Sequence, residues 1–285
     1  MNNEPKVSVV IPTYNRENLL PRAIKSVLSQ TFKDFELIVV NDGSTDDTEK
    51  IVKDINDNRI IYIKNYKNLG IQRSINKGIK QARGEYVARI DDDDTWIDPE
   101  KLDKQIKFLE KNTDYALVGT GAIIANKEGK ELFKFLSPLK DQKIRQSILG
   151  KNCFLHPSVV FRKSAALKVG GYSERLEDLH AEDYDLWLRL GMIGKFANLP
   201  FHGISYTKWK GQITNKDQMK QLKNYFRLIR KYKKYYPGYY RALFRSFSRL
   251  VLYGYLRFGK IVNVIRKIKH SYSNLQKKKK LSKEF

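Results

Sequence analysis

Apolar and polar positions in the first half of the chain switch repeatedly between two periods. Lys6-Val-Ser-Val-Val-Ile11 is a short β-branched run stopped by Pro12, the pattern of a buried strand. Leu19, Leu20, Ala23, Ile24, Val27 and Leu28 then recur at three-four spacing, which predicts a helix. Phe35–Val40 predicts a second strand. It closes in the turn Asn41-Asp-Gly-Ser44, where Ser44 and Asp47 resemble a capping box opening the next helix. Arg59–Ile63 predicts a third strand, residues 70–82 a helix, and Tyr86–Ile90 a fourth strand. Asp98-Pro99 opens a helix that runs to about Lys111, with proline in its first turn. This alternation predicts an α/β fold, a mostly parallel sheet with helices on both faces. Ligands of such sheets bind beyond the carboxyl ends of the strands. That directs attention to Thr13-Tyr-Asn-Arg16, Asn41-Asp-Gly-Ser44 and Asp91-Asp-Asp-Asp94. Neither GxGxxG after the first strand nor GxxxxGK[ST] anywhere is present, so the two familiar phosphate-binding fingerprints are excluded.

Four consecutive aspartates at a strand end repel one another, and a divalent cation relieves that repulsion. Hard carboxylate oxygens suit Mg²⁺ or Mn²⁺, ions that share their coordination with substrate phosphates. The bland alternative is a solvated acidic loop. Asp42, in a turn of small residues, is either a helix cap or an acceptor of hydrogen bonds from a nucleobase or ribose. Glu182-Asp183-Tyr-Asp185 precedes an apolar helical stripe. Composition alone favours acids that complement the helix dipole; the functional reading is a general base at a helix start. His156, His180 and His202 lack the HExxH spacing, and the single cysteine, Cys153, excludes an internal disulfide and reads as a buried thiol.

Together these segments resemble the family 2 glycosyltransferases, inverting enzymes of the GT-A fold that use nucleotide-diphosphate sugars. The matching stretches are Val7-Ser-Val-Val-Ile-Pro-Thr-Tyr-Asn-Arg16, Val40-Asn-Asp-Gly-Ser-Thr-Asp-Asp-Thr48, Asn68-Leu-Gly70 and Gly84-Glu-Tyr-Val-Ala-Arg-Ile-Asp-Asp-Asp-Asp94. His156-Pro-Ser-Val-Val-Phe-Arg162, Gly170-Gly-Tyr172 and Ala181-Glu-Asp-Tyr-Asp-Leu-Trp-Leu-Arg189 follow in order. The resemblance implies that Pro12, Thr13, Tyr14, Asp42, Asp91 and Asp92 bind the nucleotide-sugar and that Asp93 holds Mn²⁺ or Mg²⁺. It implies Asp183 as catalytic base, with His156 and Glu182 on the acceptor side. The Tyr206–Thr214 stretch departs from the family pattern and offers Lys208 or Lys210 to a diphosphate. The implied activity is transfer from a nucleotide-diphosphate sugar, a UDP-sugar first, to a glycan or lipid-linked acceptor in surface polysaccharide synthesis. A sugar nucleotidyltransferase and a nucleic-acid-binding protein are the alternatives.

Charge adds a division. The chain has 285 residues and a net charge of +24. Residues 1–204 sum to +3 and residues 205–285 to +21. The expected organisation is a catalytic domain over 1–204, with a nucleotide-sugar half to about 112 and an acceptor half over 113–204. A basic, aromatic-rich helical tail follows over 205–285. In the tail Phe244, Phe247, Val251, Tyr255, Phe258, Val262 and Ile265 form one stripe, flanked by arginine and lysine. That pattern predicts contact with an anionic membrane surface rather than nucleic acid. The alternative is a stripe packed on the catalytic domain. No signal segment and no membrane-spanning run is read, so the expected location is cytoplasmic, on the inner face of the cell membrane.

Overall fold

The structure, a computed structural model, describes residues 4–209 and 218–257. Within them β1 (Val7–Thr13), β2 (Phe35–Asn41), β3 (Ile60–Lys64), β4 (Tyr86–Arg89), β5 (Thr95–Trp96), β6 (Tyr115–Asn126), β7 (Glu131–Phe135), β8 (Val160–Arg162) and β9 (Lys195–Lys208) join in one sheet. Its order is β3-β2-β1-β4-β8-β6-β9-β5, with β7 paired to β6. The predicted parallel unit is the β3-β2-β1-β4 part. β8 enters antiparallel between β4 and β6, and β9 lies parallel to β6. The helices are α1 (Leu20–Leu28), α2 (Thr48–Lys53), α3 (Ile71–Gln81), α4 (Lys101–Lys111), α5 (Asp141–Ile148), α6 (Lys163–Lys168), α7 (Glu182–Leu190), α8 (Gln218–Tyr232) and α9 (Tyr239–Arg257).

Both faces of the inner strands are apolar, as a sheet covered on two sides requires. Val7, Val9 and Ile11 pack under α1 and α4 with Ile24, Leu102 and Ile106, whereas Val10, Ile38 and Val40 pack with Ile75, Ile79 and Trp187 on the other side. Pro12 does not stop β1. It lies inside the strand, in register with Val40. β4 accompanies β1 only from Val7 to Val10, so beyond Val10 one edge of β1 is free of ladder partners and a missing N–H costs nothing. Nor do Ser44 and Asp47 form a capping box. Ser44 Oγ accepts from Asn15 N–H at 2.9 Å, and the N–H of Thr48 is taken by Asp46 at 3.1 Å.

The boundary expected at 204/205 falls within β9, where Ser205 pairs with Ile123 and Thr95. The helices beyond it belong in part to the core. Leu228, Ile229, Tyr232, Tyr236 and Ala242 are buried in the same cluster as Trp187. Asp185, 1% exposed, accepts from Arg189, Lys231 and Tyr232 at 2.7–2.9 Å and so ties α7 to α8. Charge composition misplaces the boundary because α8 is basic yet belongs to the fold: Lys220, Lys223 and Arg230 are exposed, Arg227 and Lys231 pair with the buried Asp178 and Asp185, and its apolar side completes the core. The stripe on α9 behaves differently. Phe244, Phe247 and Val251 are exposed, at 73, 58 and 45%. Phe258, Val262 and Ile265 lie outside the described residues.

Candidate active site

The ends of β1 and β2 form the first wall. Asn15 adopts a left-handed conformation, φ 53°, and its side-chain oxygen accepts from Thr45 N–H at 2.9 Å. Arg16 N–H reaches Thr48 Oγ1, and Glu17 N–H reaches Asp46. The segment after β1 is thereby laced to the turn after β2. Pro12 and Thr13 lie buried at the end of β1, and Tyr14 projects at the rim, 41% exposed. Asp42 is buried and collects three donors. Oδ1 accepts from Asn65 Nδ2 at 2.8 Å and Leu69 N–H at 2.9 Å; Oδ2 accepts from Gly70 N–H at 2.9 Å. Its first role is to hold the 65–70 loop against β2. Gly43, φ 75°, is required beside it, because a Cβ there would stand 2.6 Å from the Lys67 backbone.

The four aspartates after β4 are sorted onto four different partners. Asp91 accepts from Arg89 Nη2 at 2.5 Å. Asp92 faces Arg16 Nε at 3.6 Å; burial, then the charge of Asp93, pushes its carboxyl up to about 7. Asp93 accepts from the Trp209 indole N–H at 2.8 Å, and burial with the charge of Asp91 raises its pKa. Asp94 accepts from Thr207 N–H at 2.7 Å, with its other oxygen buried and without a hydrogen-bond partner. Burial, Asp93 and Asp91 hold Asp94 well above the carboxylate range. Arg22 clamps the turn from outside, donating to Asp93 O and Thr207 Oγ1.

Beneath this turn lies Arg89, a fully buried guanidinium that sequence reasoning did not single out. It donates to Val10 O, Ile90 O, Asp91 and His156 Nε2. The available signal was an arginine inside an otherwise apolar strand, directly before the aspartates. A guanidinium cannot accept a hydrogen bond, so Nε2 is the unprotonated nitrogen of His156 and Nδ1–H stands 3.9 Å from Asp91 Oδ1. Burial and Arg89 both depress the His156 pKa, and the ring is a neutral strut between Arg89 and Tyr172 Oη, 2.7 Å away.

Asp183 lies in the first turn of α7. Asn152 Nδ2 donates to it at 2.9 Å, and Asn152 is itself oriented by Phe154 N–H. Burial pushes the Asp183 carboxyl up to about 6, opposed by the N–H of Tyr184 and by Asn152, while the charge of Asp91 adds to the rise. Glu182 is buried, with one carboxylate oxygen lacking a partner; burial and then Asp183 push it up to about 7. The fold therefore brings Asp91 within electrostatic reach of both acids. Asp185, the third acid of the motif, points away into the α8 contact. Lys208 ends β9 exposed, and Lys210 lies outside the described residues.

The resident groups suit a divalent cation. The oxygens are hard, the carboxyls are crowded, and Asp94 offers an orphaned oxygen in the same turn as Asp93. Among the described residues no cluster of three or more His, Cys, Asp or Glu could hold a metal ion. A cation held at this turn would need further ligands from a bound substrate.

The sequence profile of Glycosyl transferase family 2 matches residues 8–170. The chain is a family 2 glycosyltransferase. It is 38% identical over 193 residues to the glycosyltransferase EpsE of Bacillus subtilis, covering 66% of this chain and 68% of EpsE. It is 35% identical over 184 residues to the Escherichia coli UDP-Glc:alpha-D-GlcNAc-diphosphoundecaprenol beta-1,3-glucosyltransferase WfgD, covering 65% and 69%. Two solved structures share its GT-A fold. S. aureus TarS 1-349 with UDP-GlcNAc superposes with a TM-score of 0.62 at 23% identity; the match covers 79% of this chain and 66% of that one. The Pyrobaculum calidifontis mannosyltransferase PcManGT, solved with GDP-Man and Mn²⁺, gives 0.62 at 16% identity, covering 87% and 70%.

Proposed function

We propose that this glycosyltransferase moves a sugar from a UDP-sugar to a hydroxyl of a lipid-linked glycan with inversion, and that Asp183 is the base. The observation that carries the reading is the placement of Asp183. It is buried at a helix start, gripped by Asn152, and poised at about 6 within electrostatic reach of Asp91. A carboxyl with that value is ionised at neutral pH and close enough to the working pH to exchange a proton. Asp183 takes the acceptor hydroxyl proton, the oxygen attacks the anomeric carbon from the face opposite the diphosphate, and the bond to the diphosphate oxygen breaks. Pro12, Thr13, Tyr14 and Asp42 take the nucleobase, Asp42 through the lone pair left on Oδ2. Asp91 and Asp92 take the ribose and the sugar. Asp93 holds Mn²⁺ or Mg²⁺, which when bound neutralises the leaving diphosphate. Glu182 borders the acceptor, and His156 bears on Asp91 through the Arg89 guanidinium that bonds both.

The exposed apolar face of α9 supports peripheral attachment to the inner face of the cell membrane. Phe244, Phe247, Val251 and Leu252 are exposed together, beside basic residues worth about 1 kcal/mol each near an anionic bilayer. No helix among the described residues is long and apolar enough to cross a membrane. Incubation with a panel of nucleotide-sugars and Mn²⁺, followed by NMR of the product anomer, tests the reaction. Turnover of a UDP-sugar with an inverted anomer is expected; retention of configuration overturns the role of Asp183. Flotation on phosphatidylglycerol vesicles tests the attachment, and a full-length protein that never floats refutes it.

A further inference from the structure

α9 carries arginines at 241, 245 and 249, one turn apart on one side of the helix. Like charges at that spacing destabilise a helix, and no carboxylate pairs with any of the three among the described residues. The helix is seated close to the base. Ala242 packs on Gly150, where a Cβ would come within 3.0 Å of the Ala242 Cα, and Arg241 Nη2 donates to Gln146 O at 2.9 Å. One turn further along, the charge of Arg245 acts on Cys153 and Tyr184, and that of Arg249 on Tyr184 and Tyr225. The Tyr184 and Tyr225 rings meet edge-on, 5.0 Å between centroids. Tyr184 follows the base in sequence, and Cys153 follows Asn152, which grips it. Lys151 adds a third cation beside Cys153, its Nζ resting over the Phe135 ring at 5.2 Å. Arg245 and Arg249 therefore continue the helix whose Ala242 packs on Gly150, next to Lys151 and two residues before the Asn152 that grips Asp183, while Phe244, Phe247 and Val251 project from the same helix into solvent.

We infer that Arg245, Arg249 and Lys151 form a subsite for the diphosphate of a lipid-linked acceptor, with the lipid chain leaving along the exposed apolar stripe of α9. The inference rests on the lipid-linked reading given above. The chemistry matches at each point. A diphosphate is best held by several cations with forked donors, which guanidinium groups supply. The same molecule then needs an apolar path close by, and α9 presents one. The donor diphosphate is served elsewhere, at the aspartate turn, so these cations are left for a second anion. Their position beside Asn152 and Tyr184 sets the acceptor sugar between the diphosphate and the base.

The probe is farnesyl diphosphate, titrated calorimetrically into the full chain without detergent, with farnesyl monophosphate alongside. The wild type binds the diphosphate more tightly than the monophosphate. Arg245→Gln with Arg249→Gln weakens diphosphate binding about tenfold or more, while UDP with Mn²⁺ binds unchanged. Arg245→Lys with Arg249→Lys falls between, because charge is kept and the fork is lost. Arg245 is exposed, so Arg245→Gln alone decides should the double variant fail to fold. Equal farnesyl diphosphate binding by wild type and variant overturns the subsite. So does a variant that loses only phosphatidylglycerol flotation, which assigns the arginines to phospholipid headgroups, or one that loses UDP binding equally. Donor turnover by the wild type is followed in parallel; its absence refutes the transferase mechanism without touching the diphosphate result.

Discussion

Asn152→Ala tests the proton-transfer role proposed for Asp183. The Asn152 amide donates to Asp183 Oδ2 at 2.9 Å, and Phe154 N–H on Asn152 Oδ1 fixes which way the amide points. That bond favours the ionised carboxyl against burial and against Asp91, and the balance stands at about 6. A hydrogen bond to a charged group contributes about 1.5–3 kcal/mol, and about 1.4 kcal/mol is one pKa unit. Water entering the vacated space offsets part of the loss, so the variant's carboxyl moves up by about one unit. A base works only when ionised. The acid limb of kcat/KM, which reports the free enzyme, therefore shifts from about 6 towards about 7. Below the limb the variant falls about tenfold behind the wild type, and at alkaline pH the two converge. The assay is kcat/KM for the donor across the pH range, with the metal saturating. A loss independent of pH refutes the reasoning and makes Asn152 an acceptor contact. A limb that stays in place while Asp183→Asn also keeps it moves the base to another group.

The remaining expectations follow from the same geometry. Asp183→Asn keeps donor binding and lowers turnover by roughly 10²–10⁴, the usual worth of a positioned base; near-normal single-turnover rates would transfer the role to Glu182. Asp93→Ala removes the dependence of UDP affinity on Mn²⁺ in calorimetry, whereas equal wild-type affinities with and without the ion refute the metal assignment. Trp96 and Trp187 are buried, so a fluorescence change on adding UDP with Mn²⁺ reports displacement of the Trp209 indole from Asp93; the signal disappears in Trp209→Phe. Asp185→Asn strands Arg189 and Lys231 and costs about 2–3 kcal/mol in urea unfolding, less than a fully buried pair because Lys231 is 40% exposed. The Asp185 pKa is lowered in the fold, by arginine, lysine and tyrosine contacts outweighing burial. Its contribution is present above the ordinary carboxylate range and is lost as pH falls through it, so the variant's stability is flatter in acid.

The hydrophobic periods of the chain up to Lys111 determined the parallel half of this protein. Short β-branched runs and three-four repeats are local signals, and burial on both sheet faces leaves them one arrangement. The motifs also marked the polar segments that follow β1, β2 and β4, because strand ends are where such sheets expose polar groups. Four adjacent aspartates, however, are equivalent in sequence. Only the tertiary structure gives Asp91 to Arg89, Asp92 to Arg16, Asp93 to Trp209 and Asp94 to Thr207. The same holds for the three acids of α7. Helical geometry turns Asp185 into the contact with α8 and gives Asp183 to Asn152, within electrostatic reach of Asp91. The basic end of the chain was legible as charge but not as architecture. A composition average cannot separate α8, whose apolar side completes a core, from α9, where Ala242 joins that core but Phe244, Phe247 and Val251 stay in solvent. That depends on which neighbours the helices meet, and those neighbours, α7 and the end of α5, are far from them in sequence.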